Sequence, residues 1–254
     1  MKKIVFVVIA LCASFTGMAQ NRFTTILDEK EYISHENELE KWNSYDFSPV
    51  ILGLQMNTTY GIIGDNYKRI HIKITNVEKD QSKADLYHVT GKSKVGKNIE
   101  HFTGTIKLQT IKQIKDRELD ENLVSLPTKY QGIISGVYQF NEPKDRSHSG
   151  VFEGTYQAMF QITEDDGVFY NDLDLSRDSY INNMYQGFWT DYETKEAKIC
   201  NWSDFRVPNV SADFDLGAGA FSPNEKYNNK GWQTYNDAYL RNDKKAKEIE
   251  ENDW

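Results

Sequence analysis

The chain has 254 residues, of which 39% are hydrophobic and 27% charged, and its formal net charge is −8. An acidic balance without a stripe of Lys and Arg argues against a nucleic-acid partner, because polyanion binding draws on clustered basic side chains. The excess of one sign serves solubility, and the length suffices for a hydrophobic core without covalent staples.

Lys2 and Lys3 open the chain, ten apolar residues run from Ile4 to Ala13, and Gly17-Met18-Ala19 precede Gln20. A basic start, a short apolar middle and small residues before a cut after Ala19 have the form of a secretory signal peptide over residues 1–19. The run is half of the roughly 20 residues that span a bilayer as a helix. No later stretch approaches that length, so no transmembrane segment is expected, and the protein is expected in the periplasm or outside a Gram-negative cell. Cys12 follows Leu11 rather than a small residue, which disfavours a lipid anchor. Loss of the leader removes Lys2, Lys3 and Cys12, leaving a charge of −10 and Cys200 as the one thiol. Cys200 has no intrachain disulfide partner; its expected place is the core, as a small hydrophobe.

Residues 20–48 form the next segment. "LDEKEYISHENELEKW" (27–42) repeats Tyr32, His35, Leu39 and Trp42 at helical spacing, with Asp28 and Glu31 placed as a capping box, which predicts a helix. From 49 to 208 the period becomes two. Ile70, Ile72 and Ile74 alternate with Arg69, His71 and Lys73; Phe102, Gly104, Ile106 and Leu108 share one face, as do Phe152, Gly154, Tyr156, Ala158, Phe160 and Ile162. Shorter candidates are "LYHVTGKSKV" (86–95), "GIISGVYQF" (132–140), "GVFYNDL" (167–173), "YQGFWTDY" (185–192) and "AKICNW" (197–202). Turn-forming runs begin at residues 64, 78, 141 and 164. Between 114 and 131, "KDRELDENLVSLPTKYQ" interrupts the alternation with a charged connection.

Long strands with one apolar face predict an antiparallel meander, mainly β, closed as a barrel or folded as a sandwich. An internal echo favours the barrel. Phe102-Thr-Gly104-Thr105-Ile106 returns as Phe152-Glu-Gly154-Thr155-Tyr156, with both glycines on the apolar face, where barrels need bends or close backbone approaches. "GVYQF" (136–140), "VFEGTY" (151–156) and "GFW" (187–189) resemble strand patterns of secreted bacterial lipocalin-like (calycin) proteins. That resemblance implies a ligand-carrying barrel and assigns no site residue. Residues 209–254 read as an irregular extension over the β domain, ending in a charged, solvated and frayed helical tail.

Chemistry is thinly marked. The five histidines are dispersed and Cys200 has no neighbouring cysteine, so neither a transition-metal site nor a catalytic residue is assigned, and no cofactor is expected. Asp213 and Asp215 before Gly217 resemble the start of a calcium loop, but Pro223 stands where the closing acid belongs; Asp172, Asp174 and Asp178 form a second acidic cluster. Aromatic residues give the main lead. Tyr185, Trp189, Tyr192 and Trp202, with Arg206 adjacent, suit the stacking of a sugar or burial of an apolar ligand, although core packing is the stronger expectation. In an extended "KICNW", Lys198, Cys200 and Trp202 share a face. The expected function is a noncatalytic exported protein that binds a small apolar molecule, a glycan or an envelope protein. The alternatives are a carbohydrate-active enzyme with paired carboxylates and an inhibitor or immunity protein whose acidic surface suits a basic target.

Overall fold

A computed structural model of the protein describes residues 33–54, 59–115, 127–171, 182–215, 221–252 and 254. Its sheet contains β1 (Thr59–Ile63), β2 (Lys68–Lys79), β3 (Leu86–Val95), β4 (Asn98–Gln113), β5 (Thr128–Asn141), β6 (Gly150–Thr163), β7 (Val168–Tyr170), β8 (Met184–Asp191) and β9 (Ala197–Asp204). Every pairing is antiparallel and follows chain order, and β1 meets β9 at the seam. Eight strands thereby close a ring, and β7 pairs with β6 at Phe160–Ile162, beyond the stretch that β8 occupies. The molecule is therefore an up-and-down barrel rather than a sandwich. Closure leaves none of the eight with a free edge along its paired length.

Alternation sends the apolar face of each strand inward. Ile70 and Ile72 of β2, Tyr87 and Val89 of β3, Phe102 and Ile106 of β4, Tyr138 and Phe140 of β5, Phe152 and Tyr156 of β6, and Cys200 and Trp202 of β9 belong to one buried cluster. Three register slips interrupt the strict period among the described strands, between Ile74 and Asn76, between Leu108 and Thr110 and between Thr128 and Tyr130. The first two each add one residue to a strand, which reverses the facing parity and brings Val77 and Ile111 into the interior. An eight-stranded barrel is just wide enough for side chains to fill, and here aromatic rings fill it.

The echoed glycines sit where neighbouring backbones come closest. A Cβ on Gly104 would collide with the carbonyl oxygen of Gln139, and one on Gly154 with that of Gln186. Phe102 and Phe152, two residues before each glycine, meet edge to face inside, with centroids 6.1 Å apart.

The N-terminal helix is shorter than its periodicity predicts. Within 33–42 only α1 (Leu39–Trp42) is helical. Ile33 instead bridges Ile114, and Ser34 N–H donates to Gln113 O at 2.8 Å. The competing attraction is an outer apolar patch of Ile33, Ile114, Ile133 and Met159 that requires an extended chain. Residues 27–32 lie outside the described residues, as do the leader, most of the charged connection before β5 and the cluster of Asp172, Asp174 and Asp178. A second helix, α2 (Ser48–Leu52), plugs one end of the barrel with Phe47, Val50 and Ile51, all buried. Phe47 meets Phe160 edge to face at 4.9 Å, and its N–H donates to Tyr87 Oη at 3.2 Å.

After β9 the chain packs on the outer face of β1. Val207, Phe214, Phe221, Trp232 and Tyr235 cluster with Ile62, and Trp232 Nε1 donates to Tyr67 O at 2.9 Å. Short turns lead to α3 (Gln233–Tyr235) and then α4 (Lys244–Glu251), whose Asp243 cap accepts from Ala246 N–H at 2.8 Å. The frayed tail expected there is instead clamped. Glu250 accepts two hydrogen bonds from Arg69 at 2.8 and 2.6 Å, and both side chains are almost fully buried. Arg69 also lies over the Trp232 and Tyr235 rings.

The crowding at Gly104 sets a first prediction. Gly104→Ala should lower stability by about 3 kcal/mol, the upper range for over-packing, seen as a lower urea midpoint. Thr103→Ala, outward on the same strand, should change it by less than about 0.5 kcal/mol.

Candidate functional site

Among the described residues, two of the hollows lie where the aromatic filling stops. The larger, about 790 Å³, is the mouth opposite α2, with Ile70, Phe152 and Trp189 on its floor and Lys68, His148 and Lys198 among its lining. Among the described residues two buried carboxylates line it, Asp191 at the end of β8 and Glu142, just after β5. Ser93 Oγ donates to Glu142 at 2.6 Å, Gly150 N–H at 2.8 Å and Trp189 Nε1 at 3.0 Å. Burial pushes this carboxyl above its ordinary value despite those three bonds, with the charge of Glu100 adding to the rise. Three donors from β3, β6 and β8 occupy the carboxylate as a clasp, and Lys198 lies over one face of the Trp189 ring at 5.5 Å. Groups so engaged tie the strand ends together and leave little free for a ligand.

The second hollow, about 240 Å³, lies beneath α2 and opens through the wall beside β2. Both faces of β2 line it, Ile72 and Ile74 from inside and His71 and Lys73 from outside; among the described residues the β1 ladder begins at Thr59, opposite Ile72. Its inner wall follows from strand alternation. Trp202 and Asp204 are inward positions of β9, and Tyr185 is opposite Trp202 on β8. Their rings stack with centroids 4.7 Å apart and planes 14° apart.

Asp204 is the chemical centre of this chamber. It stands opposite Thr59 in the β1–β9 ladder and accepts from Thr59 Oγ1 at 2.8 Å and from Asn183 Nδ2 at 3.3 Å. Asn183 accepts in turn from Tyr156 Oη at 2.9 Å. It has φ +48°, a left-handed conformation that asparagine tolerates. Burial pushes the Asp204 carboxyl up to about 6, against the hydrogen bonds from Thr59 and Asn183 and the nearby Tyr170 phenol, which favour the charged form. No described Lys or Arg contributes to its environment. The Tyr185 hydroxyl, also buried, meets no hydrogen-bond partner among the described residues. A buried polar group without a partner costs about 1–3 kcal/mol, so the chamber holds two unmet demands, a negative charge and a hydroxyl.

The aromatic lead thus divides. Tyr185 and Trp202 come together in the chamber, while Trp189 lines the mouth; Tyr192, whose hydroxyl lies 3.4 Å from Asn141 Oδ1, neighbours the mouth-lining Asp191. Arg206 lies outside the barrel, where it is buried and paired with Asp215. Asp213 takes Lys226 at 2.6 Å and the Tyr227 hydroxyl at 3.0 Å, so cations and a hydroxyl already engage the two acids of the calcium-like run. Cys200 is fully buried between these ends, its thiol pushed well up by burial. Asp204 escaped the pattern reading, although the signal was present: two residues beyond Lys198, Cys200 and Trp202, it puts a charge on the same apolar face.

No family model matches this chain, nor does any curated protein or solved structure, so the site rests on its own geometry.

Asp204 gives a prediction whose sign follows from its raised pKa. Below the ordinary value of 3.8 the carboxyl is protonated folded or unfolded; between there and about 6 only the folded state keeps the proton. Above that, folding carries a buried charge, so this group's contribution falls as pH rises through the interval and stays low beyond it. The titratable groups facing it are the phenols of Tyr156, Tyr170 and Tyr185, and burial raises those of Tyr156 and Tyr185 well above the ordinary tyrosine value. Asp204→Asn should therefore be more stable than the parent at pH 7.5, by about 3 kcal/mol at most, and converge with it near pH 4. Urea melts across that range read the difference.

Proposed function

We propose that this is a noncatalytic small-molecule-binding protein whose ligand enters the chamber beneath α2. The carrying observation is the pairing there of a buried carboxylate, Asp204, that no described Lys or Arg compensates, with a buried tyrosine hydroxyl, Tyr185, that has no partner among the described residues. Folding alone does not explain keeping both, since each costs stability that an apolar residue would not. A bound molecule supplies what they lack. Ligand pockets typically combine apolar walls with a few convergent polar groups, and Ile51, Leu52, Ile72 and Trp202 provide such walls here.

Glycoside hydrolysis needs two carboxylates facing one bond across about 5–10 Å. Among the described residues Asp204 is the one inward-facing carboxylate of the chamber, since Glu250 sits on its outer lining and is paired with Arg69. In the mouth, Glu142 is held by three donors and Asp191 accepts from the N–H groups of Glu193 and Thr194. These engagements favour binding over turnover. Among the described residues no helix is long and apolar enough to cross a membrane. The leader-like opening supports export, and the mature protein should begin at Gln20 when recovered from an expressing bacterium and sequenced from its N-terminus.

A fragment mixture monitored by ligand-observed NMR tests the site. Small fragments should bind the parent and lose binding in Leu52→Trp, which fills the chamber from the half-buried end of α2. Binding that survives this substitution in a folded variant would place the ligand elsewhere.

A further inference from the structure

We propose that the chamber selects a small organic cation, an aliphatic amine whose ammonium group sits beside Asp204 and whose carbon body lies against Trp202, Ile72 and Ile74. This specifies the ligand class of the binding site proposed above and rests on that reading.

Charge is the first ground. The other buried ionic side chains beside this site are matched: Arg69 by Glu250, and Arg206 by Asp215. Asp204 has neutral donors only, Thr59 and Asn183, with the phenol of Tyr170 near by. Among the described residues its ionised form therefore has no contacting countercharge, and an ammonium ion supplies one together with up to three hydrogen-bond donors. The Tyr185 hydroxyl is a free acceptor on the same wall.

Shape and surface are the second ground. A hard metal ion such as calcium takes 6–8 oxygen ligands. Among the described residues the chamber offers a few oxygens; its inner wall is the stacked Tyr185–Trp202 pair with Ile51, Leu52, Ile72 and Ile74, and its outer lining carries Arg69, Lys73 and Lys94 with His71 and Glu250. Ring faces attract organic cations, and the aliphatic side chains suit a short alkyl body. A carboxylate ligand would place like charge against Asp204, and a neutral alcohol would leave that charge unmatched.

Titration calorimetry at pH 7.5 with n-butylamine, n-butanol and butyrate compares one carbon skeleton bearing three head groups. Butylamine should bind the parent at least tenfold more tightly than the other two. Asp204→Asn should remove that advantage, with circular dichroism and a thermal melt confirming its fold, and Leu52→Trp should abolish binding. In the parent, butylamine affinity should also fall as pH drops from 6 to 5, where Asp204 takes up a proton. If butanol binds as well as butylamine, with Asp204→Asn without effect and Leu52→Trp still blocking, the cation preference is overturned and the chamber remains a binding site. If all three fail to bind while larger fragments are blocked by Leu52→Trp, the amine class is again rejected and the site stands. Butylamine binding that neither substitution changes overturns both.

Discussion

Ring closure is the constraint from which the remaining structure follows. When β1 pairs with β9 the sheet loses its edges, and every inward side chain must share one narrow interior. Such a ring can close tightly only where backbones approach one another, and Gly104 and Gly154 occupy such places. The enclosed width suits packed side chains, and rings from seven strands and from Phe47 take it up. Space for anything else is pushed to the two ends, so the positions of the hollows are set by architecture before any chemistry is considered.

The ends then differ in how their buried charge is handled. At the mouth, Glu142 faces three donors and works as a clasp among β3, β6 and β8. Outside the wall, Arg69 and Glu250 neutralise each other while fixing α4. Removing one partner of such a buried pair costs about 3–5 kcal/mol, so α4 is held more firmly than its exposed, lysine-rich surface implies. Asp204 differs from both. Like Glu142 it has neutral donors and no cation among the described residues, but it is held less closely, the Asn183 bond being 3.3 Å long. It also shares its wall with the Tyr185 hydroxyl, unpartnered among the described residues, which separates a candidate site from structural chemistry.

Much of the barrel was legible from period alone. The strand from Leu86 to Val95 matches its sequence pattern end to end, and the glycine echo located two close approaches. The missed strand is β1, five residues long and carrying Gly61 on its inward face, too short for alternation to register; yet it closes the ring and supplies Thr59 to the chamber. The bulges after Ile74 and Leu108 were likewise invisible, because an inserted residue reads as a lapse in period until its partner strand is known. In the site, Tyr185 and Trp202 were named as aromatic residues, but their pairing across β8 and β9 is a matter of register. Asp204 required following one inward face two residues further. Of the helix expected over 27–42, the described residues keep only Leu39–Trp42, because periodicity cannot weigh local spacing against a distant apolar patch, here Ile114, Ile133 and Met159.

Strand β2 joins the two sides of the wall. Its inward residues, Ile72 and Ile74, line the chamber, and its outward residues, Arg69 and His71, face the C-terminal extension around α4. An imidazole at such an opening would ordinarily change charge near neutrality. Burial, reinforced by the positive charge of Arg69, pushes His71 down to about 3, so it stays neutral through the physiological range. Glu250 is held below its ordinary value by Arg69, against the opposing effect of its own burial, and stays ionised over the same interval. The outer lining contributed by these two residues therefore keeps a constant charge while Asp204, on the inner wall, moves toward neutrality near pH 6. A mild change in acidity thus alters the electrostatics of the chamber from within and leaves the clamp that holds α4 against its outer wall unchanged.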